Sequence, residues 1–135
     1  MTLQLSVATR NAMLDSIEAT IGASAVMKLR TGAAPANCAA ADGGTVISTI
    51  NLPADWMAAA SGGSKALSGS WYDASADSSG TVAHFRIYAS DGTTCHIQGT
   101  VTVTGGGGDM TLDNVGVAAG EPISITGFTL TAPNA

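Results

Sequence analysis

Between residues 83 and 103 the chain keeps a two-residue beat. Ala83, Phe85, Ile87 and Ala89 alternate with His84, Arg86 and Tyr88; on the return, Cys95, Ile97, Gly99, Val101 and Val103 alternate with His96, Gln98, Thr100 and Thr102. Successive side chains of a strand point to opposite faces, so this period belongs to a hairpin with one buried face. A two-residue Asp91-Gly92 loop would set Ile87 against His96, an apolar residue against a polar one. A three-residue Ser90-Asp91-Gly92 loop, with Gly92 in the left-handed bulge position, sets Ile87 against Cys95 and Phe85 against Ile97. That register predicts Arg86 facing His96 and His84 facing Gln98 on the outer side, with Cys95 turned into the core.

Upstream the beat is different. Ser6 is a good N-cap, Val7, Met13, Leu14, Ile17 and Ile21 follow at helical spacing, and Gly22 fits just past the end. This predicts a helix over roughly residues 7–21. After it the period returns to two: "VMKLR" sets Met27 and Leu29 against Lys28 and Arg30, and "TVISTINL" sets Val46, Ile50 and Leu52 on one side. Between these strands "TGAAPANCAAADGGT" reads as a loop. Trp56 is expected to anchor the next turn, and of the pair Trp71 and Tyr72 one is expected buried and one at a rim. "GGGG" at 105–108 reads as a flexible hairpin tip. Ile123 and Ile125 change parity to Phe128 and Leu130 across Gly127, which predicts a bulge there. Seven or eight short strands and one helix give the expected fold class: all-β, an antiparallel β-sandwich of jelly-roll type with one N-terminal α-helix. We expect a single domain over 1–135, with an N-terminal strand and helix in 1–22 and the β region in 25–132.

Composition narrows the function classes. The chain has 135 residues, 17 of them Gly; only 11% are charged and the net charge is −5. Its mean hydropathy is +0.27. Five Lys and Arg in all argue against nucleic-acid binding by phosphate neutralisation. No apolar run approaches a membrane span, and the N-terminus does not read as a signal peptide. A surface so poor in charge suits a subunit covered by neighbours, so a homo-oligomer is expected. Two cysteines allow one bridge, Cys38 to Cys95; without an export signal, free thiols are the expectation.

No constellation for catalysis emerges. Cys95 and His96 are adjacent and point to opposite faces, which disfavours a nucleophile–base pair. His84 and His96 share a face without a carboxylate at their positions, and no Cys/His spacing resembles a zinc site. Asp73 and Asp77 flank a turn and read as solvated carboxylates rather than a calcium site. The glycine run lacks the Lys-Ser/Thr of a phosphate loop, and no G-x-S-x-G elbow occurs. We therefore expect no enzyme and no cofactor. The outer hairpin face, His84, Arg86, Tyr88, His96 and Gln98, is the candidate interface, together with Leu3 and Leu5 of "MTLQL", which alternates like a strand able to add to a neighbour's sheet.

Five stretches carry a family resemblance: "SVATRNAMLDSIEATIG", "MKLRTGAAPANCAAADGGTVISTINLP", "AAASGG", "SGTVAHFRIYASDGTT" and "GEPISITGFTLTAPN". Together they resemble small structural proteins encoded among the virion genes of tailed bacteriophages. The resemblance implies a virion component assembled in the host bacterial cytoplasm. Its expected role is a head decoration (cement) protein that bridges subunits of the major capsid protein. A head–tail junction or tail component is the alternative, with other virion proteins as partners. From a different class, an adhesive, carbohydrate-binding β-module would use Trp71, Tyr72 and nearby turn carboxylates.

Overall fold

The helix forms as α1, Val7–Ile21, in a computed structural model that describes residues 2–135. Its start is capped as expected: the Ser6 hydroxyl accepts from the Thr9 N–H at 3.1 Å. Gly22 closes the end with φ 89° and gives its N–H to Glu18 O. The apolar stripe differs from the expectation. Leu14 and Ile21 are buried, but Val7 and Met13 are 52% and 43% exposed. The docked face is largely polar. Arg10 donates to Ala132 O at 3.3 and 3.2 Å, and Asn11 accepts from the Gly63 N–H at 2.9 Å. Asp15 accepts from the Ala60 N–H and Glu18 from the Met57 N–H. The loop beneath has backbone donors without a ladder partner, and helix side chains supply the acceptors.

Among the described residues eleven strands follow: β1 (Val26–Arg30), β2 (Val46–Asn51), β3 (Ser64–Ala66), β4 (Trp71–Asp73), β5 (Gly80–Thr81), β6 (His84–Tyr88), β7 (Cys95–Val103), β8 (Met110–Leu112), β9 (Gly116–Val117), β10 (Ile123–Ile125) and β11 (Thr129–Thr131). The molecule is mostly β with one N-terminal helix. A five-stranded sheet runs in the order β2-β1-β6-β7-β8, and three two-stranded ladders pair β10 with β4, β11 with β3 and β5 with β9. The sheet is mixed, because β8 lies parallel to β7.

The core lies on one face of this sheet. Met27 pairs with Ile87 and Leu29 with Phe85, and all four are buried. The ladders bring Trp56, Trp71, Ile123, Ile125 and Phe128 against them. An aromatic chain joins the two sides: Trp56 to Trp71 at 6.0 Å, Trp71 to Phe128 at 5.7 Å, and Phe128 edge-on to Phe85 at 5.5 Å between centroids. Trp56 anchors its turn by donating from Nε1 to Gly22 O at 3.0 Å. Trp71 is buried and Tyr72 is 50% exposed. A bulge between Leu29 and Arg30 pairs Arg30 with Val46 and Leu29 with Ser48. Ile47 and Ile50 are therefore fully buried while Val46 stays at the edge.

Four expectations are corrected. The hairpin register is shifted: Ile87 opposes Ile97, Phe85 opposes Gly99, Arg86 opposes Gln98 and His84 opposes Thr100. The cause is the turn. Asp91 accepts from the Thr93 and Thr94 N–H groups and the Thr94 hydroxyl, and the Ala89 N–H donates to Thr94 O. That lengthens the loop to Ser90–Thr93, with Gly92 left-handed at φ 71°. The odd residue is absorbed by a bulge before Tyr88, which pairs with Cys95. Cys95 thus lies on the face away from the core.

The glycine run is not a hairpin tip. It folds the chain straight back so that Val101 lies beside Met110 in a parallel pair. Parallel neighbours usually need a crossover of about a dozen residues. The short return works because glycine backbone lies against Thr102: a Cβ on Gly106 or Gly108 would come within 2.7 or 2.9 Å of it. At Gly127 the strand breaks instead of bulging, and the chain leaves the β4 partner for the β3 partner. Finally, residues 2–5 form no strand. Leu3 is 72% exposed, and the Leu5 N–H donates to Asn134 O at 2.8 Å.

Candidate functional site

The face opposite the core gathers most of the chain's cations. Lys28 stands opposite Arg86, and Arg30 opposite His84, across β1 and β6. Like charges on neighbouring strands repel unless a counter-charge joins them. The loop 31–45 supplies it. Its base is closed by Thr31 N–H to Thr45 O at 3.1 Å and Thr45 N–H to Thr31 Oγ1 at 2.9 Å. Gly44, at φ 71°, makes this closure possible, since a Cβ there would fall 1.9 Å from Thr31 O. The loop then lies over the polar face and presents Asp42.

Asp42 is the hub. Its Oδ2 accepts from Arg30 Nη2 at 3.0 Å. Its Oδ1 accepts from Arg86 Nη1 and from the Tyr88 hydroxyl at 2.7 Å. Desolvation opposes the charged carboxylate, but the Tyr88 and Arg86 hydrogen bonds and the two guanidinium charges outweigh it and hold Asp42 below its ordinary range. Burial, then the bond to Asp42, pushes Tyr88 up to about 12. Arg86 also binds the loop's backbone: Nη1 donates to Ala40 O, and Nη2 to the Asn37, Cys38 and Ala40 carbonyls at 3.0–3.2 Å. Gln98 Nε2 adds a bond to Pro35 O at 2.6 Å. His84 Nδ1 lies 2.7 Å from Gly32 O; a carbonyl only accepts, so that nitrogen carries the proton. Lys28 reaches Gly92 O at 3.1 Å, with its ammonium 5.1 Å from the Tyr88 ring centroid. What this arrangement does chemically is hold a loop to a sheet by charge-assisted bonds.

The predicted outer face is therefore corrected. His84, Arg86 and Tyr88 are 0%, 1% and 0% exposed, because the chain's own loop covers them. Gln98 is half-buried beneath the same loop. His96, at the bulge, is exposed. Leu3 stands free and Leu5 is half-buried near the C-terminal segment. The structure thus brings His84, Arg86, Tyr88 and Gln98 together, and leaves Leu3, Leu5 and His96 elsewhere. Asp73 and Asp77 accept from the Ser48 and Thr49 hydroxyls at 2.6 and 3.0 Å, pinning their turn to β2. Sequence reasoning missed Asp42 and Lys65. Asp42 had a signal: it is the lone carboxylate of the 31–45 loop, and three cations on one sheet face require an anion. Lys65 had none; it is 3% exposed, between Asp15 at 2.7 Å and Glu18 at 3.1 Å.

A second feature is an open cleft of about 680 Å³ beside β8, β9 and β10, with Thr104, Asp113, Asn114, Glu121, Ser124 and Thr126 on its walls. Its wall residue Ser124 pairs with Tyr72 across β10 and β4, and Tyr72 is half-exposed. Comparisons of this chain with protein-family models, with curated proteins and with solved structures found no match.

Proposed function

We propose that this chain is a non-enzymatic structural protein of a tailed-phage virion, a head decoration protein that binds at the joints between capsid subunits. The observation that carries the reading is where the charge goes. Arg10, Arg30, Lys65 and Arg86 are all buried, leaving Lys28 as the remaining Lys or Arg among the described residues. The outer surface consists largely of small neutral side chains with scattered carboxylates. Covering such a surface costs little desolvation and little side-chain entropy, which suits a part made to be covered many times on a symmetric lattice. The family resemblance points the same way. A head–tail junction or tail position uses the same physics with a different partner.

In this reading residues 2–5 are an arm. Leu3 is free to enter a groove or extend a strand on a neighbouring capsid subunit or another copy of the chain. We also read the fold as a jelly-roll sandwich: the ladders of β3, β4, β10 and β11 would form the layer facing the sheet, with Trp56, Trp71, Phe85 and Phe128 in the space between. Mass spectrometry of purified particles from a phage whose genome encodes this chain should find it in many copies per particle. Its absence from washed particles overturns the proposal. Deleting residues 1–5 should weaken binding to heads without lowering the melting temperature, and undiminished binding removes the arm from the account.

One observation favours a second reading. The cleft walls carry hydroxyls, an amide and two carboxylates, and Tyr72, half-exposed, pairs with the wall residue Ser124; polar groups with a neighbouring aromatic ring are what a sugar-binding site uses. Saturable glycan binding, lost in Tyr72→Ala, would make the chain an adhesive module.

A further inference from the structure

Cys38 and Cys95 come from distant parts of the chain and meet on the loop-covered face. Cys95 pairs with Tyr88 across β6 and β7, which places it on the face that carries Arg86. Cys38 is held there from the loop side, where its carbonyl accepts from Arg86 Nη2 at 3.0 Å. The neighbouring Asn37 and Ala40 carbonyls bind the same guanidinium. Arg86 thus links the two segments, and the Cys95 thiol itself donates to Ile97 O at 3.4 Å. Both are free, and both are only half-buried, so a small reagent can reach them.

We propose that Cys38 and Cys95 form a disulfide site. Oxidation joins the 31–45 loop covalently to β7 and locks the cover over the Arg86–Asp42 cluster, and reduction leaves that cover held by hydrogen bonds and ion pairs alone. The oxidant is a low-molecular-weight disulfide such as oxidised glutathione. One cysteine thiolate attacks a sulfur of the reagent, forming a mixed disulfide and expelling one reagent thiolate. The second cysteine thiolate attacks the protein-borne sulfur of that mixed disulfide, forming the Cys38–Cys95 bond and expelling the second. The two cysteine protons end on the two departing thiolates, so two protein thiols lose two electrons and one reagent disulfide becomes two thiols. Burial and the adjacent Cys38 push the Cys95 thiol up to about 11, so exchange is slow at neutral pH and quickens as pH rises. The cross-link ties positions far apart in sequence, which restricts both loop opening and the unfolded chain. This inference stands apart from the virion reading.

The test uses the full, folded chain with oxidised glutathione at about pH 8, followed by an acid quench, intact mass and peptide mapping. The expected product is a monomer lighter by two hydrogens, with Cys38 and Cys95 in one cross-linked peptide pair, reversed by dithiothreitol. Amide exchange at residues 37–42 should slow at least about tenfold in the oxidised form. Cys38→Ser and Cys95→Ser should each stop at one glutathione adduct on the remaining cysteine. The proposal is overturned by adducts on both cysteines without a cross-link, by cross-links between chains, or by thiols that stay free until the chain is denatured. A cross-link that leaves loop exchange unchanged overturns the cover.

Discussion

At the scale of single residues, Asp42 carries more than any other side chain on the covered face. Two buried guanidinium groups and a buried phenol converge on it, so its removal leaves cations without their counter-charge. Asp42→Asn should lower the unfolding free energy by about 1–2 kcal/mol, discounted because the carboxylate itself is partly exposed; urea denaturation at neutral pH reads this. The pH dependence has a definite sign. A carboxyl held low in the folded state stabilises fully above its unfolded pKa of about 4, and that contribution fades as pH falls through the lower folded value. Urea midpoints should therefore drop in acid for the parent chain, with that part of the slope missing in Asp42→Asn. Gly99 makes the opposite kind of contribution. A Cβ there would lie 2.7 Å from the Phe85 ring and 2.9 Å from an Asp109 oxygen. Gly99→Val should cost about 2 kcal/mol or more through overpacking, read as a fall in melting temperature.

At the scale of elements, the loop 31–45 and helix α1 share a logic: each is docked by polar bonds. Arg86→Leu keeps the side-chain volume but removes every guanidinium bond to the Asn37, Cys38 and Ala40 carbonyls. Hydrogen exchange should then quicken by at least about tenfold at residues 31–45, while β1 and β6 stay protected. For the helix, Lys65→Met should strand Asp15 and Glu18 beside an apolar tip and speed exchange across α1 in the same way. This shared logic also sets what the sequence made legible. Capping chemistry and period placed α1 to the residue, because both are local. The two-residue period placed Met27, Leu29, Phe85 and Ile87 on the core face. It failed on the opposite face because alternation reports only that two faces differ, not that the polar one is wet. A loop rich in Ala and Gly can cover that face as well as solvent can. The register slipped by two residues, one that Asp91 adds to the turn and one taken up by the bulge before Tyr88, and the first is a side-chain-to-backbone effect that hydrophobic pattern does not encode.

At the scale of the whole molecule, the ladders close the fold across long sequence distances. β3 waits for β11 and β4 waits for β10, and Phe128, from the segment between β10 and β11, completes the aromatic chain to Phe85. Such non-local pairing was invisible in the sequence: the strands concerned are only three residues each, too short for a periodic signal. A chain ending at residue 121 should therefore lack a cooperative thermal transition, even though it keeps α1 and all of the five-stranded sheet's sequence. There is a further consequence for biosynthesis. Until β10 and β11 have been added and have cleared the exit tunnel, Trp71 and Lys65 have no partner strands to close against, and greasy surface stays open. Translation, in effect, withholds the finished body until the codons for β10 and β11 have been read.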